Sequence, residues 1–231
     1  MRGNIMAGTE IRNVRGATIT VRGGSNVRAA AVKHTADVAA MIVDSLSIPA
    51  GTEINVECGT QAARCGSRRN GVHYKRNGIH IVGIHGGLFR DTDISDKGAS
   101  TLAHELIHCD QYANERIVSR YDYGKGFWFY TFSGEWTGTK GHRKYVEKVF
   151  RRPRNPTYET YRNFGWEQEA FEMQEQVSKD ALRAVFEGKK PQAAKPSKIT
   201  KTSSGKFVCE HCGKEYGSRQ GRYNHIRKNH A

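Results

Sequence analysis

The sequence predicts an α+β chain of 231 residues, and three observations carry that prediction. Apolar residues recur at helical spacing through Ala31, Val38, Ile42 and Leu46, and again through Trp166, Ala170, Met173, Val177, Ala181 and Ala184. Two short apolar runs, Val72–Lys75 and Ile79–Val82, flank Arg76-Asn77-Gly78 and read as a β-hairpin, because Asn-Gly accepts the positive φ angles of a tight turn. A polar stretch with six lysines and two prolines, Glu187–Lys206, then separates this body from a short segment that holds two cysteines and three histidines. The predicted organisation is a domain over 1–186, a basic linker over 187–206 and a small metal-folded unit over 207–231.

The remaining elements follow in chain order. The stretch Met1–Ala30 is rich in Gly and Arg, and only Thr18–Arg22 reads as a strand. Pro49-Ala50-Gly51 ends the first helix, and Glu53–Val56 alternates as a short strand. The glycines around Gly83–Gly87 fit a turn better than a phosphate-binding loop. A second helix runs from about Lys97 to Glu115. Tyr121–Trp136 is rich in aromatic residues that read as packing of a lobe.

Composition narrows the function classes. Apolar residues make up 37 % and aromatics 10 %, enough for a packed core and against a chain disordered throughout. No stretch approaches the roughly 18 uninterrupted apolar residues of a membrane helix. The N-terminus lacks the apolar centre of a secretory signal. These features predict an intracellular protein, cytoplasmic or associated with nucleic acid, that makes no use of a membrane. The five cysteines do not suggest a disulfide framework, and Cys58 and Cys65 read as free thiols. Net charge is +14, unevenly spread: from Glu187 onward 11 basic and 3 acidic residues give +8 within 45 positions. Such a tail suits a polyanion.

The second helix carries His104-Glu105-Leu106-Ile107-His108. Histidines at i and i+4 share a helix face, so both imidazoles can reach one metal ion. Glu105 stands beside them, placed as a general base without being a ligand. Leu102, Leu106, Cys109 and Ala113 form an apolar stripe on the side away from the histidines, so Cys109 reads as a small core residue. Further along the chain, Trp166-Glu167-Gln168-Glu169-Ala170 offers two candidates for a third ligand. Periodicity does not choose between Glu167 and Glu169, since both flank the apolar stripe of their helix.

Helix, strand, hairpin and then this motif helix resembles the upper lobe of the zincin metallopeptidases, whose edge strand pairs with extended peptide substrates. The similarity spans roughly Ala31–Phe186. Gluzincins often place their third ligand first in Glu-x-x-Ala-Asp, and Glu167–Ala170 matches the first four of those positions. The resemblance thus implies His104, His108 and Glu167 as ligands of a catalytic Zn2+, with Glu169 as a fallback. Phe171 departs from the pattern, standing where the family often has an Asp that orients a ligand histidine; Asp110 or Glu169 are the substitutes within reach. The chain is also similar, more weakly, to SprT- and Spartan-type proteases, whose third ligand is a histidine after the motif. His142, beside Gly141, would fill that role, although it lies further past His108 than the pattern leads one to expect.

Cys209-x2-Cys212-x12-His225-x4-His230 has the spacing at which two thiolates on a hairpin and two imidazoles on the following helix close a tetrahedral site. It resembles a ββα C2H2 zinc finger, which implies a structural Zn2+ and a small core from Phe207 and Tyr216. Docking in the manner of known fingers would present Ser218, Gly221 and Asn224 to bases, and of these only Asn224 reads a base edge bidentately. Arg219, Arg222, Arg227 and Lys228 are placed for phosphates instead, giving affinity with little sequence choice. The expected function is a zinc-dependent metallopeptidase that hydrolyses peptide bonds in a polypeptide substrate and is tethered to nucleic acid by the finger. Two alternatives stand beside it: a non-enzymatic zinc- and nucleic-acid-binding protein with a degenerate peptidase domain, and a peptidase whose finger recruits protein partners. A further oxyanion donor is sought in Tyr158 or Tyr161.

Overall fold

The computed structural model describes residues 8–59, 70–122, 127–136, 143–151, 162–191, 207–208 and 214–216. The chain divides into two compact units, Met1–Ala193 and Ala194–Ala231, with the break inside the Lys-rich stretch.

The first unit is mixed α+β, built on a five-stranded sheet of order β1-β2-β3-β5-β4. β1 (Thr9–Val14) and β2 (Ala17–Gly23) form an antiparallel hairpin. β1 interleaves Glu10, Arg12 and Asn13 with its apolar residues, so it shows no clean alternation. Its pairing with β2 makes it a strand, and Arg12 bonds Asp37 of the first helix. β3 (Glu53–Cys58) runs parallel to β2, and β5 (Ile79–Ile84) parallel to β3. β4 (Gly71–Arg76) lies antiparallel to β5 at the sheet edge. The turn between them holds Asn77 at φ 51° and Gly78 at φ 84°, the two positive values that a two-residue hairpin loop requires.

Alternation decides which face of this sheet is covered. β2 buries Ala17, Ile19 and Val21, β3 buries Ile54, Val56 and Cys58, and β5 buries His80, Val82 and Ile84. Their register sets Ile19, Ile54 and His80 in one row. The apolar residues among them form a single core with α1 (Ala29–Ser45), α2 (Asp96–Ala113) and α3 (Gly165–Phe186). α1 is rich in small and β-branched residues, which lets it sit close to the sheet through Ala31, Val32, Ala36 and Ala39. A 3-10 turn, Gly86–Leu88, connects β5 towards α2 and accounts for the glycine cluster.

The aromatic-rich segment belongs to a separate antiparallel sheet of β6 (Ile117–Asp122), β7 (Phe127–Trp136) and β8 (Arg143–Arg151), in that order, with a register shift between Phe132 and Gly134. Phe132 packs with Ile117, Phe164 and Trp166 in a second apolar cluster. In the second unit β9 (Phe207–Val208) pairs antiparallel with β10 (Glu215–Tyr216), so a two-stranded hairpin brackets the Cys209–Cys212 segment.

Cys65, His142, Tyr158, Tyr161, the four Cys/His positions of the C-terminal unit, and Ser218, Arg219, Gly221, Arg222, Asn224, Arg227 and Lys228 lie outside the described residues. Among the described residues no helix is long and apolar enough to cross a membrane.

Candidate metal centre

α2 starts cleanly: Ser95 Oγ accepts the Gly98 N–H at 3.1 Å and caps the first turn. Regular helix then sets His104 and His108 one above the other, with Nε2 atoms 3.2 Å apart. Glu167 reaches this pair from the first turn of α3, where a negative charge complements the helix N-terminus. Its Oε2 lies 3.2 Å from His104 Nε2 and 3.4 Å from His108 Nε2. Phe164 and Trp166 stack at 4.6 Å and anchor that end of α3 in the second apolar cluster.

The three donor atoms therefore form a triangle with edges of 3.2, 3.2 and 3.4 Å. An ion bound tetrahedrally at about 2.0–2.1 Å requires donor-to-donor edges of about 3.3–3.4 Å. Two imidazoles and a carboxylate at this separation can hold a divalent transition metal, and all three residues are buried.

Glu169 is turned elsewhere. Its Oε1 and Oε2 both accept from Arg116 Nη1, at 2.7 and 2.8 Å, and Oε2 also accepts the Gln111 Nε2 amide at 2.7 Å. The end of α2 makes this possible: Glu115 adopts a left-handed φ of 56°, and the Arg116 N–H donates to the Gln111 carbonyl at 2.8 Å. That reversal turns the Arg116 guanidinium back against Glu169 and against Asp110, whose Oδ2 it meets at 2.7 Å.

The substitutes expected for the missing orienting aspartate, Asp110 and Glu169, do not hydrogen-bond the histidines. Asp110 accepts from the Ser47 N–H and from Arg116, and Glu169 acts one step removed. Two glutamines take the role. Gln111 Oε1 meets His108 Nδ1 at 2.7 Å, and Gln174 Oε1 meets His104 Nδ1 at 2.9 Å. Each amide oxygen accepts from Nδ1, so Nε2 is the ring nitrogen that faces Glu167. Gln111 is itself locked, because its Nε2 donates to Glu169 and to the Trp166 carbonyl. Phe171, at the sequence position where the resemblance expects an aspartate, packs its ring on His104 at 4.6 Å between centroids. Sequence reasoning missed both glutamines, although Gln111 stands within one helical turn of His108. Gln111→Ala and Gln174→Ala are each expected to lower metal affinity about 10–100-fold, read by competition with a chromophoric chelator. Gln111→Ala has the larger effect, since it also releases Glu169.

Glu105 lies against the sheet edge. A Cβ added at Gly71 of β4 would stand 2.6 Å from Thr101 Cγ2 and 3.0 Å from Glu105 Oε1, so only glycine lets α2 approach β4 this closely. Glu105 and the edge strand thus meet beside His104 and His108.

Burial opposes a charge on His108, but Glu167, Glu105 and the Gln111 amide oxygen together override it and raise its pKa to about 9 in the metal-free protein. Protonation at His108 therefore contributes stability that is fully present below pH 6.5 and lost as the pH rises through 9. A metal must displace that proton. Apparent metal affinity should fall about tenfold per unit as the pH drops below 9, with close to one proton released per ion. Calorimetry in buffers of differing ionisation enthalpy measures that release.

No family model, curated protein or solved structure matches this chain.

Proposed function

We propose that the first unit is a zincin-like metallopeptidase, with His104, His108 and Glu167 as the ligands of a catalytic Zn2+ and Glu105 as the general base. The observation that carries the reading is the triangle of donor atoms with the edge lengths of a tetrahedral zinc site, beside a second carboxylate, Glu105, that is not part of it. A purely structural site has no use for that carboxylate. Zn2+ bound there supplies a Lewis acid that lowers the pKa of water and polarises a carbonyl.

The protein's own groups do the rest. Glu105 accepts a proton from the attacking water and returns it to the leaving amine. Gln111 and Gln174 hold the ligand imidazoles in the tautomer that frees Nε2. β4 borders the site as an antiparallel edge strand whose outer backbone groups can pair with an extended polypeptide. Supporting the resemblance to zincins are the parallel run β2-β3-β5 and the position of β4 beside the motif helix. The experiment is hydrolysis of a denatured protein by the full chain. Turnover should stop on removing metal with a chelator and return on adding Zn2+; a fully metal-loaded chain that cleaves nothing would leave a binding protein with a degenerate peptidase domain.

The second unit is proposed to be a C2H2 finger that tethers the enzyme to nucleic acid. The β9–β10 hairpin around Cys209 and Cys212, and the net charge of +8 from Glu187 onward, support it. Titrating the full chain against two unrelated duplexes at two salt concentrations should give affinities that fall steeply with salt and differ little between duplexes. Absence of binding to either duplex would turn the reading towards a finger that recruits protein.

A further inference from the structure

We infer that the first unit contains a second transition-metal site, formed by His73 of β4, His80 of β5 and Cys109 of α2, which shares no donor with the His104/His108/Glu167 centre. It rests on how α2 lies against the hairpin. A helix advances about 6 Å in four residues and a strand about 6.6 Å in two. The approach of Glu105 to Gly71 is thus repeated one step further on, where Cys109 meets His73.

The pairing of Lys75 with His80, and of His73 with Val82, makes the two histidines diagonal neighbours on the helix-facing side of the sheet. Their rings stack, with His73 Nε2 and His80 Nδ1 3.0 Å apart. All three donor atoms lie within 4.8 Å of one another. Zinc bonds nitrogen at about 2.0–2.1 Å and sulfur at about 2.3 Å, so a tetrahedral site needs N···N of about 3.3 Å and N···S of about 3.6 Å. A small movement of these side chains supplies both distances.

The chemistry of the three groups fits a soft or borderline ion. His80 is only 1 % exposed and sits in the row where β2 and β3 place Ile19 and Ile54, so a hydrocarbon would fill that position at lower desolvation cost. Cys109 is fully buried, and it faces the two imidazoles instead of serving only as a small filler of the apolar stripe. Tyr112 packs its ring 5.2 Å from that of His73. An ion bound here would tie the edge hairpin to the motif helix.

Cobalt spectroscopy of the full chain tests this independently of catalysis, because the first centre has no sulfur ligand. The full chain carrying C209S and C212S, which removes the thiolates of the C-terminal unit, is loaded with Co2+. A near-ultraviolet thiolate-to-cobalt charge-transfer band is expected; it should survive C58A and C65A and be lost with C109A or H80N. His104→Ala and His108→Ala, which abolish the first centre, should leave it in place. Lack of the band in the C209S/C212S chain, or its persistence in C109A, overturns the second site whether or not the protein hydrolyses peptides.

Discussion

For the metallopeptidase proposed here, Glu105→Gln is expected to lower the rate of peptide hydrolysis by about 10²–10⁴-fold, the range a general base supplies, while bound metal and melting temperature stay unchanged. The amide keeps the size of the side chain and its place against Gly71, so packing between α2 and β4 is preserved. It cannot accept the proton of the attacking water. The measurement is kcat on a denatured protein, with metal content by mass spectrometry on the same sample. Turnover close to wild type would remove Glu105 from the role of base and require another carboxylate or water chain.

Glu167→Ala has the second large effect. It deletes one corner of the donor triangle, and metal affinity of the first unit falls by more than the roughly 10–100-fold that loss of a supporting residue costs. It also leaves His108 without the carboxylate that does most to raise its pKa to about 9, so proton release on metal binding diminishes in the variant. Glu169→Ala is expected to act more weakly on affinity and more strongly on stability. It takes one of two carboxylates from the Arg116 guanidinium, leaving Asp110, and loosens Gln111. His142→Ala completes the comparison. If that variant loses more metal than Glu167→Ala, the third ligand is the histidine and the chain sides with the Spartan-type pattern.

Periodicity and turn chemistry made most of the first unit legible. The short apolar run Ile79–Val82 and the Asn77-Gly78 pair specify the β4–β5 hairpin, because both act within a few residues. The three helices follow from apolar spacing, and each begins and ends close to where the spacing places it. β1 was not legible: its charged residues hide the alternation, and its identity as a strand comes from β2 and from the Arg12–Asp37 contact across the fold. β7 was hidden for a related reason, since an aromatic-rich segment packs equally well as strand or loop until its partners are known.

The candidate centre divides in the same way. By itself the sequence determined the pair His104 and His108 with Glu105 beside them, because a four-residue spacing on a helix brings side chains together without help from the rest of the chain. It also determined the Cys/His spacing of the C-terminal unit and the concentration of charge beyond Glu187. Periodicity left Glu167 and Glu169 equal, at similar angles to the apolar stripe of α3; the resemblance implied Glu167, and the tertiary structure sets Glu167 beside the histidines and Glu169 on Arg116. The choice depends on how α3 crosses α2 and on Arg116, turned back by the left-handed Glu115, which draws Glu169 away from the histidines. The orienting glutamines, the approach of Gly71 to Glu105, and the meeting of His73, His80 and Cys109 were likewise decided by packing. Nearly all of these join residues from different elements, and no local periodicity encodes the distance between two elements.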